Sequence, residues 1–280
     1  MNWLEEWEKK RDRVLVMGVL NLTPDSFHDG GSYPTQKAAV NRALEMVEEG
    51  ADIIDIGGES TRPGAAPVSE REELSRVLPV IKGIRKQSEI MLSIDTTKAT
   101  VAAEAIACGT TIVNDISALR SDPGMTRVIA RNKVFVVLMH MQGTPRTMQH
   151  NPTYDDPVRE IRDFLQERIR VALGASIPYT RIIVDPGIGF GKKLEHNLVI
   201  LQNLNRFAAL KVPILVGLSR KSFIEQILGS SAEDRLTGTI AANAIAVANA
   251  ANIIRVHDVK EGRRTADVAC RLRKRNAQDG

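Results

Sequence analysis

Aromatic residues are scarce: six Phe, three Tyr and two Trp make up 4% of the 280 residues. A core must therefore be assembled from Ala, Val, Ile and Leu, which suits strands buried on both faces beneath helices. The shortage also argues against a nucleic-acid surface built from stacked rings. Cysteine is nearly absent. Cys108 and Cys270 stand far apart in no metal or redox spacing, so a disulfide framework is excluded and two buried thiols are expected. No apolar run approaches the ~20 residues of a membrane helix. Met1–Arg13 is charged and lacks the apolar stretch of a secretory leader. A soluble, cytoplasmic protein with no membrane partner is expected. Linkers, charge blocks and low-complexity stretches are missing too, so residues 1–13 are read as a lead-in and 14–280 as a single domain.

Charge is nearly balanced, with 38 basic against 34 acidic residues and a net +4. Part of the excess lies in Arg263, Arg264, Arg271, Arg273, Lys274 and Arg275. That stretch reads as the solvated face of a terminal helix; with no aromatics interleaved it makes a poor nucleic-acid patch, and no nucleic-acid partner is expected.

What the chain does contain is repetition. Short β-branched runs predict strands at Val14–Leu20, Ala51–Gly57, Ile90–Asp95, Thr111–Ile116, Val134–His140, Ile182–Asp185, Pro213–Leu218 and Asn252–His257. Helical stretches alternate with them, among them Thr35–Glu49, Ser69–Lys86, Asp155–Leu173 and Leu194–Ala209. Ser69 followed by Glu72 signals a capping box. Eight strand–helix repeats predict an α/β fold, a (β/α)8 TIM barrel.

Polar residues collect where these strands end: Asn21, Asp55, Asp95, Asn114, His140, Asp185, Ser219 with Lys221, and Arg255 with His257. In a barrel those positions converge on one rim, the face that carries active sites. Side chains alternate along a strand. Ile253, Arg255 and His257 therefore face inward, and Ile254 and Val256 meet the helices. Arg255 and His257 are donors suited to a phosphate, and Asn21 offers an oxygen suited to magnesium with a diphosphate. Ser219-Arg220-Lys221-Ser222 opens a helix whose N–H groups suit an anion. Asp95 and Asp185 instead suit a heterocycle edge rich in N–H donors. Common motifs are missing. Gly187-Ile188-Gly189-Phe190-Gly191 is followed by Lys192, so the dinucleotide fingerprint fails at its third glycine. His140 and His150 lack metal-ligand spacing and read as hydrogen-bonding histidines.

Several segments, in order, resemble the dihydropteroate synthase family. They are Gly18-Val19-Leu20-Asn21-Leu22-Thr23-Pro24-Asp25-Ser26-Phe27, Asp55-Ile56-Gly57-Gly58-Glu59-Ser60-Thr61-Arg62-Pro63-Gly64, Ser93-Ile94-Asp95-Thr96, Asn114-Asp115-Ile116 and Leu138-Met139-His140-Met141-Gln142-Gly143. Asp185-Pro186-Gly187-Ile188-Gly189-Phe190-Gly191-Lys192, Gly217-Leu218-Ser219-Arg220-Lys221-Ser222 and Arg255-Val256-His257-Asp258 follow.

The resemblance implies a folate-biosynthesis transferase that joins 6-hydroxymethyl-7,8-dihydropterin pyrophosphate to p-aminobenzoate, with sulfonamides as inhibitors and a homodimer as the assembly. It implies that Asp95, Asn114, Asp185 and Lys221 hold the pterin, with Arg255 stacked on its ring. Asn21 with Mg2+, Thr61, Arg255 and His257 would hold the pyrophosphate. Phe27, Arg62, Pro63, Phe190, Ser219 and the stem of Lys221 would form the p-aminobenzoate pocket. Asp95, Lys221, Arg255 and His257 are the expected catalytic residues. The Gly/Pro-rich stretches 21–34 and 58–68 would be mobile loops closing over the site, with Asp29 a possible extra stabiliser. His28 departs from the small hydroxyl residue usual in the family. A chain ending at residue 280 is not expected to carry a fused kinase-like enzyme. A methyltetrahydrofolate-dependent methyltransferase barrel or a non-catalytic pterin-binding paralogue are the competing readings. The first would need neither Thr61-Arg62-Pro63-Gly64 nor Ser219-Arg220-Lys221-Ser222, and the second should have lost loop residues or Lys221.

Overall fold

A computed structural model describes residues 13–23, 36–62, 64–229 and 235–273. Its strands are β1 (Leu15–Asn21), β2 (Ile53–Gly57), β3 (Met91–Asp95), β4 (Ile112–Asp115), β5 (Phe135–Met139), β6 (Ile182–Asp185), β7 (Leu215–Gly217) and β8 (Ile253–Val256). The described helices are α1 (Gln36–Glu48), α2 (Glu70–Arg85), α3 (Ala99–Ala107), α4 (Met125–Asn132), α5 (Pro157–Gly174), α6 (Leu194–Gln202), α7 (Ser222–Leu228), α8 (Arg235–Ala248) and α9 (Val259–Leu272).

The strands are all parallel, in the order β6-β5-β4-β3-β2-β1-β8-β7. A parallel bridge between Val184 and Ile214 joins the two outer strands, so the sheet nearly closes into the expected barrel. Two apolar layers follow from the alternation of side chains. Leu15, Met17, Ile53, Ile112, Phe135, Val137, Ile183, Leu215 and Ile253 fill the interior. The other face packs against helices, with Val16, Ile54, Val136, Val184, Ile254 and Val256 in the larger core. Ile253 and Ile254 thus face opposite ways, as the alternation requires.

Some expectations need correction. The stretch 194–209 is not one helix: α6 stops at Gln202 and a 3-10 segment runs Leu204–Leu210. Asn203 breaks it, since its side-chain amide donates to the Val199 carbonyl at 2.9 Å and so competes with the backbone. Ser69 does cap α2 by accepting from the Glu72 N–H at 3.2 Å, but Glu72 pairs with Arg76 instead of completing the box. Cys108 and Cys270 form no disulfide and are only partly buried, not buried as expected. Arg263 is not solvated: it bonds Asp52 at 3.1 Å and Asp267 at 2.6 Å. Asp52 also accepts from the Val16 N–H at 2.9 Å. These bonds tie α9 to the N-terminal ends of the strands, the face that serves stability in such barrels.

Candidate active site

The centre of the rim is a row of residues at matching heights. Asn21 pairs in register with Gly57, Gly57 with Asp95, and Asp95 with Asn114. Gly57 leaves that row open, for a Cβ there would stand 3.5 Å from Asn21 Oδ1 and 3.6 Å from the Asp95 Cβ. Arg255 reaches across from β8. Its Nε donates to Asp55 Oδ2 at 2.6 Å and one terminal nitrogen donates to Asp95 Oδ2 at 2.7 Å. Asn114 donates to the same Asp55 oxygen at 3.0 Å. Asp55 is fully buried, and its Oδ1 has no partner among the described residues.

Burial dominates the electrostatics. It pushes Asp95 up to about 7, helped by the neighbouring Asp55 and Glu73 carboxylates and opposed by Arg255. Asp185 is raised by burial as well, against the pull of Lys221, the Gly187 N–H and Lys192. Lys221 is lowered to about 8 by burial and by Arg255, with Asp185 opposing. Burial also works against the Arg255 charge, but Asp55 and Asp95 more than offset it. The rim therefore holds two carboxylates and a lysine that titrate nearer neutrality than free side chains do.

His257 stands beside this group. Its Nδ1 lies 3.0 Å from Ser219 Oγ, which also accepts from the His257 backbone N–H at 3.2 Å. Ser219 thus fixes the orientation of the imidazole on the rim. Burial, Arg255 and Arg220 lower His257 to about 4, so it is a neutral donor at neutral pH. Arg220 itself is held by Asp258 at 2.6 and 3.0 Å.

The glycine-rich turn after β6 is not a phosphate cradle. The Gly187 N–H donates to Asp185 Oδ1 at 2.7 Å and the Gly189 N–H to Asn197 Oδ1 at 2.9 Å. The turn offers carbonyls instead, and every carbonyl from Ile188 to Gly191 is taken by a side chain. Lys221 bonds the Ile188 carbonyl, Gln149 that of Gly189 at 2.9 Å, Lys192 that of Phe190 at 2.9 Å and Tyr154 that of Gly191 at 2.7 Å. Phe190 joins Ile116, Met139, Met141 and Met148 in an apolar cluster, and the Lys221 ammonium sits 4.5 Å over the Phe190 ring. A heterocycle can therefore lie on apolar walls while carboxylates meet its edge.

Residues 17–257 match the pterin-binding enzyme family. The chain is 48% identical to the dihydropteroate synthase of Escherichia coli K12 over 246 residues, covering 88% of this chain and 87% of that one. Among solved structures, Yersinia pestis dihydropteroate synthase with a sulfonamide drug superposes with a TM-score of 0.89 at 44% identity, covering 93% and 94% of the two chains. The Xanthomonas albilineans enzyme with 4-aminobenzoic acid gives 0.87 at 45% identity, covering 95% of each. The chain belongs to the dihydropteroate synthases.

For this dihydropteroate synthase chain, the structure brings Asp95, Asn114, Asp185, Lys221, Arg255, His257 and Ser219 onto one rim, with Asn21 in the same row and Phe190 on the wall. Thr61 is half-buried on the loop after β2, whereas Arg62 is exposed. Phe27, His28, Asp29 and Pro63 lie outside the described residues. Arg255 is held by two carboxylates at the edge of its guanidinium, which leaves the planar face for a ring. Asp55 was legible as a rim residue but received no role, because its link to Arg255 joins strands at opposite ends of the chain. Lys192, Ile116 and Met139 were not read as site residues at all. Their signal, a place in the same quoted motifs as Asp185, Asn114 and His140, was present.

The stretch 58–68 is also less free than its Gly and Pro content suggests. Glu59 Oε1 accepts from the Val68 N–H at 3.0 Å, joining the ends of the loop. Lys98 bonds the other Glu59 oxygen and Glu73 Oε2, the latter at 2.6 Å.

Proposed function

We propose that this rim binds 6-hydroxymethyl-7,8-dihydropterin pyrophosphate and p-aminobenzoate and joins them with release of pyrophosphate. The observation that carries the reading is the division of one rim into acceptors, Asp95 and Asp185, and donors, Arg255, Lys221 and His257. The acceptors match the N–H-rich edge of a pterin. Asp185 keeps Oδ2 for that edge because the Gly187 N–H takes Oδ1. The donors match a diphosphate.

The chemistry then follows from charge. The bond from the exocyclic carbon to oxygen breaks, and its electron pair leaves with pyrophosphate toward Arg255 and His257. The pterin carries the positive charge, which Asp95 and Asp185 favour through a site shielded from water. The p-aminobenzoate nitrogen attacks that carbon and afterwards sheds a proton to solvent. A neutral aromatic amine needs no strong base, and none is assigned. Phe190, Ser219, Lys221 and Arg62, with Phe27 and Pro63, form the p-aminobenzoate pocket in this reading; Thr61 reaches the pyrophosphate from the loop after β2.

Magnesium fits one point of the rim. Asn21 Oδ1 has no hydrogen bond among the described residues and borders the space left by Gly57. No group of three or more His, Cys, Asp or Glu able to hold a metal occurs among the described residues. Asn21 would thus share the ion with pyrophosphate oxygens, the usual arrangement for magnesium with phosphates. Bound there, the metal supplies charge neutralisation for the leaving group.

A homodimer is part of the proposal, supported by exposed Ile227, Leu228, Ile245, Val268 and Leu272 on the last three helices. A cytoplasmic location is proposed too. No helix of the described residues is long and apolar enough to cross a membrane.

The test is pyrophosphate release on mixing the protein with the pterin pyrophosphate, magnesium and p-aminobenzoate. Release that depends on all three supports the assignment; none under any combination rejects it.

A further inference from the structure

Lys192 is 3% exposed and lies in the turn after β6, its ammonium bonded to that turn and to His140 rather than to any carboxylate of the rim. Its ammonium nevertheless has a full set of partners: His140 Nδ1 at 3.0 Å, the Phe190 carbonyl at 2.9 Å and the His140 carbonyl at 3.4 Å. Burial pushes its pKa well below the usual lysine range, with Lys221 adding to the shift and Asp185 opposing it. A buried amine of this kind is costly unless its donors are met, and here they are met by His140 and by the Phe190 carbonyl.

The surroundings explain what it does. The turn 187–191 lies flush on the backbone after β5. A Cβ on Gly187 would come 1.9 Å from the His140 carbonyl oxygen, and one on Gly191 would come 2.5 Å from that of Gln142. Both glycines also have positive φ, 68° and 61°. Lys192 bridges these two layers. It holds the backbone of Phe190 from behind while the Phe190 ring supports Lys221 in front, 4.5 Å from its ammonium. Gln149 and Tyr154 fix the carbonyls on either side.

We propose that Lys192 is a positioning residue for p-aminobenzoate: it sets the Phe190 backbone, and through that ring the place of Lys221, from the side of the turn that faces away from substrate. Gln149 and Tyr154 complete the same harness. The inference rests on the reading of Phe190 and Lys221 as pocket residues.

Lys192→Met keeps the volume and removes the donor, leaving the Phe190 carbonyl and His140 Nδ1 unsatisfied. Leaving those buried acceptors unsatisfied should raise the KM for p-aminobenzoate by about 10-fold or more, with a smaller rise in that for the pterin pyrophosphate. Phe190→Leu is combined with it in a double-mutant cycle. If Lys192 acts through Phe190, Lys192→Met in the Phe190→Leu background adds less than about two-fold. Additive effects, equal damage to both substrates or an unchanged p-aminobenzoate KM overturn the inference. Should Lys192→Met fail to fold, Tyr154→Phe and Gln149→Leu test the harness at its exposed side. Each should raise the p-aminobenzoate KM by roughly two- to five-fold, the scale of one neutral hydrogen bond, and no rise in either would refute it. A wild-type protein that releases no pyrophosphate would defeat the function itself. An active wild type with unaffected variants defeats only this inference.

Discussion

Replacing Asp55 by Asn probes the rim where its charges are most tightly linked. The fully buried carboxylate accepts from Arg255 at 2.6 Å and from Asn114 at 3.0 Å through one oxygen. Asn can keep an oxygen facing both donors, but its amide nitrogen then occupies the place of Oδ1, which has no partner among the described residues. Arg255 loses one of its two carboxylates. A hydrogen bond to a charged group is worth roughly 1.5–3 kcal/mol, so kcat/KM should fall about 10- to 100-fold. A second consequence has a definite sign. Burial is the main cause of the raised Asp95 pKa, and Asp55 adds to it. Neutralising Asp55 therefore lowers the Asp95 pKa, and Arg255 leaning wholly on Asp95 pushes the same way. The acid limb of kcat/KM, which reports the free enzyme, should move below its wild-type position of about 7. Steady-state rates across the pH range, with melting curves at each pH, measure both effects. A native-like variant with an unchanged rate, or a limb shifted to higher pH, would falsify the argument that Asp55 sets the Arg255–Asp95 pair.

In the wild type, kcat/KM should rise with pH through about 7 as Asp95 ionises and fall above about 8 as Lys221 loses its proton; a flat profile from pH 6 to 9 would show that neither group's charge matters. His257→Ala removes a neutral hydrogen bond, since its imidazole titrates at about 4. Turnover should drop by about 10-fold at most, while binding of a pterin lacking pyrophosphate stays unchanged; equal damage to both would place His257 at the ring. Ser219 is buried on the rim whereas Arg62 is exposed on its loop, so the proposed p-aminobenzoate pocket should be completed only when that loop is drawn in. Titrating p-aminobenzoate with and without magnesium pyrophosphate and pterin should show far tighter binding in their presence. Identical affinities would mean a preformed pocket.

The barrel was legible because its signals are local. Strands such as Phe135–Met139 are short apolar runs buried on both faces, and the β8 alternation placed Arg255 and His257 inward without further information. The break at Asn203 was not legible, because apolar spacing continues across it: Leu204, Phe207 and Leu210 are all buried. Their spacing of three is that of a 3-10 turn, too short a run to separate from an α-helix. Partners distant in sequence were hidden as well. Nothing near Arg263 announces Asp52, and nothing near Arg255 announces Asp55. Lys192 stands out in the sequence only as a missing glycine, although its side chain ties the turn to His140 and to the Phe190 carbonyl.

The loop after β2 shows how such hidden partners change a functional argument. Its Gly and Pro content suggested that all of 58–68 would move. Glu59 instead ties itself to Val68 and to Lys98, and Lys98 is tied to Glu73 on α2. Glu73 is fully buried, and a Cβ on Gly58 would stand 2.9 Å from its side chain, so the stem has no room to shift. Lys98 follows Asp95 by three positions, which connects the base of this loop to the rim end of β3. Only the span between Glu59 and Val68, with Thr61 and Arg62 on it, is left to rearrange. Ordering backbone costs about 1–2 kcal/mol per residue. Each residue pinned in advance lowers the cost that a bound diphosphate must offset, so a ligand touching the loop chiefly at Thr61 can still close it.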